Sequence, residues 1–404
     1  MRHYYRWWIL GVSTLTQLVA GLASQGIGAW GLYAQDALHL SARQVGGLAT
    51  LANIVPIFGL TLVGRALDRH GERLPVFLGM LVLGFSMLLL AVSTGYGTLA
   101  AAMLMMGIGY SPIQPGGSKA IYHWFPTHER GMAMGVRQAA LPLGGACAAV
   151  FFPELILRAG WASAMTVAAV VIAVTGGIYL AVFRNASRPD AGSPSAISMW
   201  QHLLGNFSEA AFRRISLIGA MLVAVQTAVA VFWIMFVQRR FDLMPAAAAW
   251  SLFIVQMSGS LGRILLSALS DHIRGGRRRV VIICMVLAPA ALLATALLPA
   301  SCRGLPILAC AAFSGFFCFG WYGPWVVWLS ESTDHNKVGE VIGAAMAVNQ
   351  VAIAAVPLIF GMVVDMTGTP TVPLMCLSAG LFAVFVWDRL CPVGRSGLSP
   401  STSN

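Results

Sequence analysis

Twelve long apolar stretches set what this chain can fold into. They lie at about residues 7–33, 44–66, 74–93, 97–124, 131–153, 161–184, 213–238, 247–269, 279–298, 305–330, 338–363 and 371–391. A helix needs about 20 apolar residues to cross a bilayer core. Lipid offers no partner for backbone polar groups, so stretches of this kind read as transmembrane helices. The predicted fold class is an all-α membrane protein. Only 10% of the 404 residues are charged and 58% are hydrophobic, against about a quarter charged in a soluble domain. That excludes soluble enzymes, nucleic-acid binders and disordered chains. A net charge of +11 would suit nucleic acid, but the basic residues cluster in short gaps between apolar runs, as in cytoplasmic loops. The seven cysteines are scattered, with no CxxC pair and no metal-ligand spacing, so neither a disulfide framework nor a metal or cofactor is expected.

Arg2 and Arg6 precede the first stretch, but its apolar run continues to Tyr33, too long for a signal-peptide core. An even number of crossings puts both termini on one side. Seventeen basic residues fall on that side and five on the other, so the termini are predicted to be cytoplasmic. Short loops and the lack of a targeting extension suggest a bacterial-type inner membrane. The other three of the 25 basic residues, Lys119, Arg137 and Arg263, lie well inside stretches, away from their ends.

A polar interruption divides the chain into a six-helix bundle over 1–185, a cytoplasmic linker over 186–212, a second six-helix bundle over 213–391 and a tail over 392–404. Met199–Leu204 reads as a short interfacial helix within the linker. A shift of 203 residues aligns the two parts, pairing Gln35 with Gln238, Asn53 with Gln256 and Asp68 with Asp271. Tyr110-Ser111-Pro112 likewise matches Tyr322-Gly323-Pro324. Parallel repeats of this kind characterise transporters that rock two pseudo-symmetric halves about a midplane site.

Gly64-Arg65-Ala66-Leu67-Asp68-Arg69-His70-Gly71-Glu72-Arg73 closely resembles the G-x-x-x-D-R-x-G-R-R signature of the major facilitator superfamily. A second copy surrounds Asp271, with Ser267 in the place of Gly64. Arg130-Gly131-Met132-Ala133-Met134-Gly135 resembles the same superfamily's R-G-x-A-x-G, and Gly339–Gly343 echoes it. Pro357, Gly361, Asp365 and Gly368 look like an ending shared by organic-anion branches, including monocarboxylate and oxalate–formate exchangers. The resemblance covers nearly the whole chain. It implies twelve helices in two six-helix bundles, with Gly64, Asp68, Arg69, Gly71, Arg73, Arg130 and Asp271 forming the gating motif. Gly64 is expected to let two helices approach closely, and Asp68 to bond basic groups and helix ends.

A basic side chain at mid-bilayer costs about 2.5–3.5 kcal/mol and is a functional candidate. Lys119 lies nine residues before His128, and Arg137 nine residues after it. Nine residues rise ~13 Å, close to the middle of a ~30 Å core. Pro112, Pro115, Gly116 and Gly117 are expected to bend the fourth helix and free backbone groups to line a cavity. The alternative is that these cations snorkel or pair structurally. For Arg263 a structural partner and a substrate are equally open. None of the fourteen acidic residues falls near a helix centre. Unpaired cations then favour an anionic ligand, which arginine can hold bidentately. Gln25, Gln114, Gln226, Gln256, Tyr322, Asn349 and Gln350 are polar candidates to complete the substrate site, each with interhelical hydrogen bonding as its alternative. His123 can titrate near neutral pH or sit at the interface beside Trp124.

Neither lysine, Lys119 or Lys337, follows glycine, so no phosphate loop is present, and no grouping supports an enzyme. The expected function is secondary transport of a small organic anion, a carboxylate, by alternating access with a proton or counter-anion. Efflux of amphipathic compounds is the first alternative, and a non-transporting membrane sensor or enzyme the second. The expected partners are the substrate, the coupling ion and lipid, with no nucleic acid, and the protein is expected to be a monomer.

Overall fold

The structure is a computed structural model that describes residues 2–185, 210–273, 275–333 and 338–391. The described residues form fifteen helices and no strand. In chain order these are α1 (Arg2–Gln25), α2 (Ile27–Leu38), α3 (Ala42–His70), α4 (Arg73–Ala91), α5 (Tyr96–Tyr110), α6 (Ile113–Trp124), α7 (Thr127–Ala159) and α8 (Trp161–Val182). The second part holds α9 (Ala210–Phe241), α10 (Pro245–His272), α11 (Gly276–Leu297), α12 (Leu305–Phe319), α13 (Tyr322–Glu331), α14 (Val338–Thr367) and α15 (Thr371–Leu390). Most of the expected linker, with its interfacial helix at 199–204, and the tail over 392–404 lie outside the described residues.

Among the described residues, ten spans are long and apolar enough to cross a membrane, with α1–α2 counted as one and α12–α13 as another. The 29-residue α3 and the α5–α6 pair complete the expected twelve; 29 residues rise ~43 Å. The chain is a multi-pass integral membrane protein with two six-helix bundles, α1–α8 and α9–α15.

Three of the twelve rods are broken. The fourth breaks between α5 and α6 at Ser111-Pro112, where proline lacks the N–H and crowds the preceding turn. The tenth breaks at Gly320-Trp321, so Gly323-Pro324 falls in the first turn of α13. A proline is tolerated there, because a first-turn N–H has no helical acceptor, and the break therefore precedes it. The first rod breaks at Gly26, where a Cβ would meet the Phe152 ring.

The bundles meet mainly along α3 with α14 and α7 with α10, and also through α2 with α9. At the side away from the N-terminus, here the far side, glycines bring backbones together. Gly46 packs on the Pro357 carbonyl, Gly361 on that of Ala42 and Gly28 on that of Ala230. Deeper in, Thr50 Oγ1 donates to the Ala354 carbonyl at 2.6 Å and Gln350 Nε2 to that of Asn53 at 3.0 Å. At the near side, a Cβ on Gly64 of α3 or Gly343 of α14 would meet nothing within 4 Å. The close approach expected of Gly64 is not made in this conformation.

Candidate functional site

Arg137 projects from α7 and is fully buried. Its Nη2 donates to Gln17 Oε1 at 2.8 Å and to the carbonyls of Ile113 at 2.9 Å and Gln114 at 3.0 Å. Nη1 donates to Ser118 Oγ at 3.1 Å. The broken fourth rod makes this cradle possible, since all but one of these acceptors belong to α6. Gly117 matters as much, because a Cβ there would strike the guanidinium. Arg137 Nε has no partner among the described residues.

Arg263, on α10 in the other bundle, is 6% exposed. Its Nη1 donates to the Gln138 carbonyl of α7 at 2.9 Å, and its guanidinium lies 5.2 Å from the Tyr322 ring centroid. Ser260 Oγ, one turn earlier on α10, donates to the Ala139 carbonyl at 3.1 Å. Gln17 Nε2 reaches the Tyr110 hydroxyl at 3.3 Å, and Gln114 Nε2 reaches Gln138 Oε1 at 3.1 Å. Arg137, Gln138 and Arg263 thus form a polar junction between the bundles. No carboxylate of the described residues lies within salt-bridge distance of Arg137 or Arg263. Both positive charges are met by neutral acceptors and an aromatic face, which balance hydrogen bonds but leave net charge in place.

The other expected residues divide. Gln25 and Gln256, from opposite bundles, both lie against Gly145, where a Cβ would strike them. Both amide atoms of Gln256 and of Asn349 are buried without partners among the described residues, as is Gln226 Oε1. Gln350 is an inter-bundle tie through the Asn53 carbonyl. Lys119 is not the unpaired cation expected. Its ammonium forms an ion pair with Asp68 and donates to the Leu67 carbonyl at 3.2 Å. Helix depth alone could not reveal this, because Asp68 comes from the preceding hairpin.

In the stretch expected to form the gating motif, Gly71 adopts a φ of 75° and packs on Asn185. Arg73 donates from its backbone to Asn185 Oδ1 at 3.0 Å and from Nε to the Leu180 carbonyl at 2.8 Å. Arg130 covers the Tyr122 ring at 4.0 Å and donates to the Phe125 carbonyl. Asp271 pairs with Arg277 at 2.6 Å. Arg69 is exposed.

Sequence reasoning passed over Gln17, Ser118 and Gln138 and left Arg263 undecided. Gln17 carried the clearest available signal, as an amide inside the first apolar run. Gln138 adjoins Arg137 in the chain, so the two point to different sides of α7 and only packing shows that both join one network.

The sequence model of the Major Facilitator Superfamily matches residues 13–357. The chain belongs to the Major Facilitator Superfamily. It is a transporter of that family and not an enzyme. Among curated relatives, an uncharacterised MFS-type transporter of Mycobacterium tuberculosis is 27% identical over 353 residues, 86% of this chain and 78% of the relative. The hexuronate transporter of Bacillus subtilis is 30% identical over 129 residues, 32% of this chain and 31% of its own length. A probable L-galactonate transporter of Escherichia coli is 30% identical over 148 residues, 37% of this chain and 32% of the relative. A solved bacterial homologue of the human lysosomal transporter Spinster, inward-facing and occupied, superposes with a TM-score of 0.75 at 13% identity, covering 96% of each chain. That likeness concerns the fold.

Proposed function

We propose that this MFS transporter carries a small organic anion, a carboxylate, on Arg137 and Arg263 by alternating access, with its near side and both termini in the cytoplasm. The observation that carries this reading is a pair of buried guanidiniums, one from each bundle, with no carboxylate of the described residues beside either. Desolvated charge of one sign is stabilised by an entering charge of the other. Bridging two bundles with one anion makes substrate binding sensitive to their relative position, which alternating access requires. The unpartnered amides of Gln256 and Asn349 suit a ligand that also brings hydroxyl groups, since an unsatisfied buried amide costs about 1–3 kcal/mol. The sugar acids named for the Bacillus subtilis and Escherichia coli relatives have that chemistry.

The test is equilibrium binding on purified protein with D-galacturonate, a short monocarboxylate and a neutral sugar. Arg137→Gln and Arg263→Gln are each expected to weaken the anions ~10–150-fold, the size of one charge-assisted hydrogen bond. Arg137→Lys restores the charge but not the fork, so it recovers only part. Wild-type anion affinity in both glutamine variants would reject the site and favour efflux of amphipathic compounds. Uptake with an imposed proton or counter-anion gradient identifies the coupling ion.

A further inference from the structure

Glu72 departs from the gating signature, which has arginine at that position. Its side chain is only 4% exposed, and its carboxylate lies 3.0 Å from His123 Nδ1. Glu72 is the N-cap of α4 and His123 occupies the last turn of α6. A carboxylate at a helix start and a cation at a helix end are both favoured by the helix dipoles. Four residues before each in the chain, Asp68 meets Lys119. The two acid–base pairs therefore form a ladder, with Asp68 and Glu72 on one side and Lys119 and His123 on the other. The whole second side belongs to α6, the same twelve-residue half-helix that cradles Arg137 through Ile113, Gln114 and Ser118.

We propose that the Glu72–His123 pair is a proton-binding site at the cytoplasmic gate, and that α6 transmits its protonation state to the Arg137 site. The inference rests on the orientation proposed above. Glu72 is an acceptor when ionised, so Nδ1 of His123 keeps its hydrogen on Glu72 and Nε2 takes the proton. Imidazole ordinarily titrates near pH 6.5. Protonation turns a hydrogen bond to a buried carboxylate into an ion pair, which fixes α6 against α4 in the conformation seen here. Deprotonation loosens that hold and frees α6 to move with the gate. The sign follows: the hold is present below the imidazole titration and is lost as pH rises through it. The charged and titratable groups around the pair are Lys119 and Tyr122 on α6, Asp68 on α3, Arg73 on α4, Tyr179 on α8 and Arg130 on α7.

The experiment needs no transported ligand. Spin labels at Arg65→Cys on α3 and His272→Cys on α10, in a background with Cys376 and Cys391 replaced by serine, report the separation of the two bundles at the near side in nanodiscs. In the otherwise wild-type protein, the ratio of long to short distances is expected to fall about two- to fivefold between pH 5.5 and 8, the range of a partly exposed ion pair. His123→Gln and Glu72→Gln should each flatten the profile. Arg137→Gln should shift the profile without flattening it, because α6 links the two sites while Glu72 and His123 stay intact. A pH-insensitive wild type, or a wild-type profile in His123→Gln, would overturn the proposal. Labelling of Arg65→Cys with an impermeant maleimide in right-side-out and inverted vesicles tests the orientation separately.

Discussion

The carboxylate of Asp365, near the end of α14, accepts the backbone N–H of Ala42 in the first turn of α3 at 3.0 Å. Its second oxygen accepts Arg43 N–H at 3.0 Å. Within its own bundle, α3 satisfies two further amides through the Ser41–Gln44 capping box. The orphan donors of this helix start are thus shared, two met locally and two by the opposite bundle. The spacing of Pro357, Gly361 and Asp365 now has a physical meaning. At four-residue intervals they lie on one helix face, and that face is the one seated on α3 through Gly46 and Ala42.

Asp365→Asn keeps one acceptor oxygen and loses the charge. The far-side closure is expected to weaken by about 1 kcal/mol, a value moderated by exposure. That corresponds to ~5-fold more of the far-side-open conformation. An impermeant maleimide applied from outside to Asn53→Cys, midway along the α3–α14 seam, measures it. Equal labelling rates with and without Asp365→Asn would remove the clasp role.

Gly46 and Gly64 are separated by eighteen residues, as are Gly343 and Gly361. Eighteen residues make five turns, ~27 Å, so each pair lies on one face of its helix. Gly64 and Gly343 are therefore placed to meet when the near side closes. Gly343→Leu is expected to leave thermal stability unchanged, because its face is open here, while transport falls at least tenfold. Uptake at the wild-type rate would show that α3 and α14 do not close at this point.

Gly117→Ala adds a single methyl under the Arg137 guanidinium. Overpacking of this kind costs about 1–3 kcal/mol, and here the mobile side chain yields. The variant is expected to lose anion affinity as Arg137→Gln does, although its charge is intact. Normal affinity in Gly117→Ala would show that the cradle over α6 does not set the site.

Asp68→Asn and Lys119→Gln are expected to impair transport to the same extent, with little further loss when combined. Their ion pair is about one-third exposed, and such pairs contribute roughly 0–1 kcal/mol to stability. Melting temperatures should therefore barely move while uptake drops. Strictly multiplicative losses in a double-mutant cycle would mean that the two act separately.

The twelve crossings, the repeat, the superfamily signatures and the bend in the fourth rod were legible in the sequence. Hydropathy is a local property, and a proline or a charge stands out in an apolar run. Arg137 was singled out on that ground and is buried as expected. Partners were a different matter. A helical sequence gives depth, through its fixed rise per residue, but not which way each face turns once rods pack. Lys119 reads as an isolated cation until the α3–α4 hairpin brings Asp68 to it. Arg263 leaves a structural partner and a substrate equally open until α10 lays it on α7 and Tyr322. Glu72, in a loop by sequence, is buried because α6 and α8 close over the start of α4. The sequence by itself determined a two-fold membrane bundle with three cations in its helices. Only the tertiary structure decided which of them kept its charge uncompensated, because compensation is a distance between rods and not a spacing along one.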